Sequence, residues 1–223
     1  MTVVLTKASP TVSLDKHGVT AGLIRVNLNW ASPQADAGRK AAEATGLLRR
    51  LRASLAAGAA HGAPRGVDLD LGCMIKFADG SKSVVQALGN SFGATDRRPY
   101  VALDADDRTG ARTDGENLVI NLDHQEEFSK LLLFVYIYDG STDFRGLNAV
   151  VSLTSDRGER FEVRLDECPP QARSCAIALI KRQKRELVVT REVRWFTPKD
   201  GPRIQETISR AYRFGMKWTA GHK

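Results

Sequence analysis

Apolar and polar residues alternate in short segments along most of the chain. In residues 23–30 every second residue is apolar, and Arg25, Asn27 and Asn29 occupy the positions between them. A period of two with one apolar side is typical of a β-strand that lies on a core. Residues 130–138 are apolar at nearly every position, which predicts a central strand buried on both faces.

Further alternating segments follow one another with only short turns between them. The Asp79-Gly80 pair predicts one β-hairpin, and residues 156–159 predict another. Near the C-terminus, Ile204, Ile208 and Ala211 have the spacing of a short α-helix. Many short strands with few helices predict an all-β fold, a two-sheet β-sandwich with a short C-terminal helix. The other predicted strands cover residues 67–77, 83–88, 100–103, 117–122, 147–154, 160–165, 174–181 and 186–196.

Residues 31–66 interrupt this pattern with a segment rich in Ala, Gly and Arg. Its leucines share one face of a helix with arginines around them, which would suit docking on a membrane or a partner. A tolerated surface insertion that is partly helical or disordered explains the pattern better, because Gly46 interrupts the helix. The chain thus divides into N-terminal strands at 1–30, a basic insertion or linker at 31–66, and the main sandwich at 67–223.

An acidic segment, LDADDRTGARTDGENLVINLD at residues 103–123, stands out in a chain with a formal net charge of +7 over 223 residues. Clustered carboxylates repel one another unless something neutralises them. Ca²⁺ is bound by six to eight oxygen ligands and would neutralise them well, so a calcium-binding loop is one hypothesis. A solvated acidic turn between two strands is the alternative. The candidate ligands in this segment are Asp104, Asp106, Asp107, Asp114, Glu116 and Asn117.

Asp68 and Asp70 are two residues apart in a predicted strand, so their side chains project from the same face. Leu69 and Leu71 occupy the other face. The two carboxylates could complete a calcium site together with the acidic segment, or they could form the solvent-facing side of an edge strand. Asp139, directly after the central strand, is a further acidic candidate, although a turn explains it better.

Composition narrows the function without defining it. The basic charge favours acidic partners, and three cysteines argue against a disulfide framework and for a reducing compartment. We expect a cytoplasmic protein, because no secretory signal and no apolar run long enough for a membrane span is found. No catalytic triad, zinc-ligand spacing or phosphate-binding glycine motif occurs, so we expect no enzyme. The basic segment 181–185, with Trp195 and Phe196 nearby in the sequence, could contact phosphates, but no nucleic-acid-binding motif accompanies it.

Several blocks resemble the TerD-domain stress proteins, and within them the TerA-type tellurium-resistance branch. These blocks are, in order, GVDLDLGCMIKFADG, VVQALGNSFG, LDADDRTGARTDGENLVINL, FVYIYDG, CAIALI and VTREVRWF. The resemblance implies a two-sheet β-sandwich that binds Ca²⁺. Asp68 and Asp70 match the DxD of the family, and Asp106, Asp107, Thr109 and Gly110 match its loop. Asp114, Glu116 and Asn117 fall in the acidic end of the motif.

This sequence departs from the family pattern inside the loop. Ala111, Arg112 and Thr113 replace a run that is usually acidic and glycine-rich, and Arg108 adds positive charge. Fewer anionic ligands should weaken calcium binding or reduce the number of ions.

The resemblance implies a non-enzymatic Ca²⁺-binding protein in resistance to tellurite or related chemical stress. We expect it to act within a larger assembly, together with other tellurium-resistance or stress proteins. This assembly could be associated with a membrane. A metal-independent module that recruits acidic membranes or proteins through its basic segments is the alternative.

Overall fold

Two β-sheets make up most of the chain in the computed structural model, which describes residues 2–30, 67–104, 115–165, 167–184 and 186–219. The one described α-helix, α1, is Ile204–Ala211. The strands are β1 (Thr2–Val4), β2 (Thr11–Ser13), β3 (Leu23–Asn29), β4 (Asp68–Phe77), β5 (Lys82–Val85), β6 (Gly93–Ala94), β7 (Val101–Leu103), β8 (Glu116–Asn121), β9 (Phe128–Asp139), β10 (Val150–Ser155), β11 (Arg160–Arg164), β12 (Ser174–Gln183) and β13 (Glu186–Phe196).

One sheet has seven described strands in the order β1-β11-β10-β3-β8-β7-β6, and the other has six in the order β2-β13-β12-β9-β4-β5. All neighbouring strands are antiparallel except β1 and β11. The predicted all-β sandwich with a short C-terminal helix is therefore confirmed. The N-terminal strands are distributed over both sheets, with β1 and β3 in the first and β2 in the second.

The main core lies between the sheets. On β4 the residues Leu69, Leu71, Cys73 and Ile75 are fully buried there, as alternation requires. A second apolar cluster covers the outer face of the six-stranded sheet. There Met74, Phe134 and Tyr136 pack beneath Ile208 and Phe214, which belong to the C-terminal segment, residues 204–219. β9 lies between β12 and β4 and faces both clusters, which explains why it is apolar on both sides and confirms it as a central strand.

Some sequence predictions fall outside the described residues. These are the helical insertion at 31–66 and most of the acidic loop, residues 105–114. In the part of the chain that the structure does describe, no helix is long and apolar enough to span a membrane.

The three cysteines are free thiols, and their accessibility differs. Cys73 and Cys175 are buried, and burial raises the pKa of both thiols. Burial also raises the pKa of the Cys168 thiol, but this residue is only partly buried and a reagent can reach it. Because the thiolate is the reactive form, the two buried residues should be inert in the folded protein.

We therefore expect one reactive thiol per native chain and three after denaturation. Titration with a chromogenic thiol reagent, with and without guanidinium chloride, measures both numbers. In the variant Cys168→Ser the native protein should give no reaction. Rapid reaction of that variant would show that a buried thiol is accessible.

Candidate functional site

The first half of β4 projects beyond its neighbour β5. Pairing of β4 with β5 runs from Cys73 to Lys76, whereas pairing with β9 extends from Asp68 to Phe77. On the side that β5 leaves open, the backbone N–H of Leu71 donates a hydrogen bond of 2.7 Å to Oε2 of Glu116. Glu116 begins β8 of the opposite sheet, so its carboxylate bridges the two sheets.

Asp68 and Asp70 lie on this projecting part of β4 and are buried, with 3% and 0% of their surface exposed. Leu69 and Leu71 point into the core between the sheets, so the two carboxylates are on the opposite face of the strand. The alternative of a solvent-facing polar side is therefore wrong. The C-terminal segment packs on the same face of the sheet, over Met74 and Tyr136.

Tyr136 connects Asp70 to Glu116. It is the cross-strand partner of Asp70 on β9 and is 2% exposed. Burial raises the pKa of its hydroxyl, and the negative charges of Asp70 and Glu116 raise it further. The two carboxylates thus act on one buried hydroxyl. We call Asp68, Asp70 and Glu116 the buried acidic cluster.

Asp104 and Asn117 form a separate pair at the ends of the acidic loop. The N–H of Asp104 donates to the carbonyl oxygen of Asn117 (3.0 Å), and the N–H of Asn117 donates to Oδ1 of Asp104 (3.3 Å). The Asn117 side chain accepts a hydrogen bond from Nδ2 of Asn27 at 3.0 Å. Because Asn117 follows Glu116 in β8, its side chain points to the other face of the sheet. These hydrogen bonds hold the two ends of the loop next to each other, although they are 13 residues apart in the sequence.

Gly115 sets the path of the chain into β8. Its φ is +65°, and a Cβ built on it would lie 2.1 Å from the carbonyl oxygen of Leu28 on β3. Only glycine combines this backbone conformation with such a close approach. The next residue is Glu116, so Gly115 also determines where that carboxylate enters the core.

The donor set of the buried acidic cluster is of the kind that Ca²⁺ binds, because all of its ligand atoms are carboxylate oxygens. Among the described residues, however, no group of three or more His, Cys, Asp and Glu side chains has the geometry of a metal site. Three of the predicted ligands, Asp106, Asp107 and Asp114, lie outside the described residues. The calcium site therefore stays a prediction, and the described residues supply part of its donors.

Sequence reasoning missed Tyr136 and Asn27 as neighbours of these acidic groups. Tyr136 lies in an apolar run that indicates only a core strand, and Asn27 looked like a solvated strand residue. A signal for Tyr136 was the hydroxyl in an otherwise apolar segment. Asp139, the further candidate, is exposed, and it accepts a hydrogen bond of 2.8 Å from the N–H of Gly140, as a turn residue does.

The basic segment at 181–185 is partly used by the fold. Arg182 donates to the carbonyl oxygen of Gln125 and lies 3.8 Å from the carboxylate of Glu126. The expected proximity of Trp195 and Phe196 is wrong, because they end β13, which begins at Glu186. At about 3.3 Å per residue, nearly the whole strand of roughly 30 Å separates them from the hairpin tip.

Together these features define the protein as a two-sheet β-sandwich with carboxylates buried where one sheet edge meets the other sheet. Two solved structures are similar to it. The unknown-function protein SAV2460 has a TM-score of 0.53 and 14% identity, with 79% of this chain and 91% of that chain covered. SCO6318 from Streptomyces coelicolor A3(2), a homologue of the telluride resistance protein TerD, has a TM-score of 0.48 and 17% identity over the same shares.

Among curated proteins, the chain is similar to the tellurium resistance protein TerA of Alcaligenes sp. The two are 37% identical over 221 residues, which is 99% of this chain and 58% of that relative. No protein-family model matches the chain. The resemblance to TerA-type tellurium-resistance proteins is confirmed, and the chain spans a little over half the length of the relative it matches.

Proposed function

We propose that this protein is a non-enzymatic, Ca²⁺-binding β-sandwich that acts in resistance to tellurite or related chemical stress. The observation that supports calcium binding most is the burial of Asp68, Asp70 and Glu116, of which Asp70 and Glu116 both act on the Tyr136 hydroxyl. A divalent cation would offset the repulsion among these carboxylates. The similarity to TerA supports the role in stress resistance.

In this proposal, the chain holds the ion from two directions. Asp68 and Asp70 would provide oxygens from β4, and residues of the acidic loop would provide the rest, with Asp106 and Asp107 as the first candidates. Glu116 already accepts a hydrogen bond from Leu71, so it would fix the edge of β4 in place and add negative charge. The bound ion would order the loop and thereby present a surface for a partner in a larger assembly.

Calorimetric titration of the chelator-treated full chain with CaCl₂ tests the binding step. We expect saturable heat, and a thermal midpoint about 5–10 °C higher at a calcium concentration 100 times the Kd. Asp70→Asn should weaken binding at least tenfold, and the double variant Asp106→Asn, Asp107→Asn should abolish it. Asp96→Asn is the matched control, because Asp96 is an exposed carboxylate paired with Arg97.

Absence of heat and of any midpoint shift at millimolar calcium would contradict the calcium part of the proposal. Equal losses in Asp70→Asn and Asp96→Asn would place the ion elsewhere. Circular dichroism of each variant shows whether its fold is retained.

The role in stress resistance needs a measurement in cells. A strain that lacks this gene should lose tellurite tolerance and regain it with the wild-type chain. If calcium is required, Asp70→Asn should restore much less tolerance than Asp96→Asn at equal protein level. Full tolerance without the gene would contradict the proposed role.

A further inference from the structure

A cavity of about 710 Å³ lies between the outer face of the six-stranded sheet and the C-terminal segment. Its floor includes Gln86, just after β5, and Tyr136 of β9. The N-terminal turn of α1 forms one wall, and Trp218 and Met216 form another. The volume falls in the range of about 300–1,000 Å³ that is usual for small-molecule sites. We call it the C-terminal cavity.

Gln86 and Trp218 each contribute to the C-terminal cavity a buried polar atom that lacks a hydrogen-bond partner among the residues that the structure describes. Gln86 is 6% exposed, and its Nε2 donates to the carbonyl oxygen of Leu88 at 3.1 Å, but no donor reaches its Oε1. Trp218 Nε1 likewise has no acceptor. Each of these groups has lost its hydrogen bonds to water without gaining one in the protein, which is unfavourable. A ligand that offers an N–H to Gln86 and an acceptor to Trp218 would remove both penalties.

The rim of the C-terminal cavity attracts anions. Arg173, Arg203 and Lys217 line it, and each of them is exposed to solvent. The single carboxylate in the lining, Glu206, lies 3.4 Å from Arg203, so three cations against one carboxylate leave the rim with a net positive charge.

The N-terminus of α1 adds to this positive potential. Its N-cap residue, Arg203, makes no side-chain capping hydrogen bond. The N–H groups of the first helical turn have no partner within the helix and carry the positive end of the helix dipole. This turn, Ile204 to Glu206, lines the C-terminal cavity.

We propose that the C-terminal cavity binds a nucleoside monophosphate. A planar base suits the aromatic and apolar walls around Trp218, and the amino or ring N–H group of the base would donate to Gln86 Oε1. The phosphate would lie at the N-terminus of α1 with Arg203 and Lys217, as anions do at helix N-termini. This site is on the outer face of the sheet and does not require calcium.

Calorimetric titration of the full chain in EDTA with AMP and GMP tests this proposal, with adenosine, guanosine and inorganic phosphate as partial ligands. We expect at least one nucleotide to bind, and its nucleoside and free phosphate to bind at least tenfold more weakly. Arg203→Ala should weaken nucleotide binding about tenfold and leave nucleoside binding unchanged. Trp218→Phe, which keeps the ring and removes the N–H, should weaken both.

Arg160→Ala is the matched control, because Arg160 lies on β11 of the other sheet and should not affect binding. The proposal is wrong if neither nucleotide binds at a concentration of about 5 mM, because a Kd above this value is too weak for a specific site. It is also wrong if Arg203→Ala and Trp218→Phe bind as tightly as the wild type, because the nucleotide would then be held elsewhere. Since EDTA is present throughout, these outcomes are independent of the calcium experiment.

Discussion

Replacing Gly115 by alanine is expected to destabilise the protein by about 3 kcal/mol. The left-handed φ of +65° costs an L-residue about 1–2 kcal/mol. The new Cβ would also meet the carbonyl oxygen of Leu28 at 2.1 Å, and a backbone atom in a paired strand cannot move aside easily. Such overpacking adds about 1–3 kcal/mol. Urea unfolding followed by circular dichroism measures the change.

Gly146 provides a control that separates the two costs. Its φ is +77°, and nothing lies within 4 Å of the position of its Cβ. We therefore expect Gly146→Ala to cost only the backbone term, about 1–2 kcal/mol. If the two variants lost the same stability, the close contact with Leu28 would have no energetic role. Because Glu116 follows Gly115, the Gly115→Ala variant should also bind calcium more weakly if the proposed site is correct.

Replacing Gly72 by alanine is expected to cost about 2–3 kcal/mol for a different reason. Gly72 lies opposite Phe134 in the pairing of β4 with β9, and a Cβ there would lie 2.4 Å from the Phe134 ring. Phe134 is fully buried in the outer cluster, so its ring has little room to move. Overpacking of this kind typically costs about 1–3 kcal/mol. Thermal and urea unfolding of the variant measure the loss.

A double-mutant cycle tests whether the ring causes that loss. Phe134→Leu alone should destabilise the protein, because it leaves a gap in the outer cluster. In the Phe134→Leu background, however, Gly72→Ala should cost at least 1 kcal/mol less than in the wild type, since the smaller side chain makes room for the new methyl group. Simple additivity of the two changes would show that Gly72 is required for another reason.

Much of the fold was predictable because β-strands have a short and local signal. The alternation of residues 23–30 and 67–77 corresponds to β3 and β4 within one or two residues, and the Asp79-Gly80 turn joins β4 to β5. Strand ends were less predictable. The segment 147–154 became β10 only from Val150, because pairing with β3 ends at Asn29.

The site was predictable only in part. Alternation was enough to place Asp68 and Asp70 on one face of β4, but it could not show that this face is buried. The side chains that pack on this face of the sheet include Ile208 and Phe214, more than 130 positions further along the chain. The separation of Asn117 from the buried acidic cluster, in contrast, follows from its position next to Glu116 in one strand.

By itself, the sequence determined most of the strands, their core-facing sides and the resemblance to TerA-type proteins, because each is carried by the order of neighbouring residues. Only the tertiary structure decided that Glu116 reaches across to Leu71, that the C-terminal segment packs on the outer face of the six-stranded sheet, and that Gln86 and Trp218 line one cavity. These contacts join residues that are distant in the chain, and they depend on how two sheets and a helix pack together. No local pattern encodes that packing.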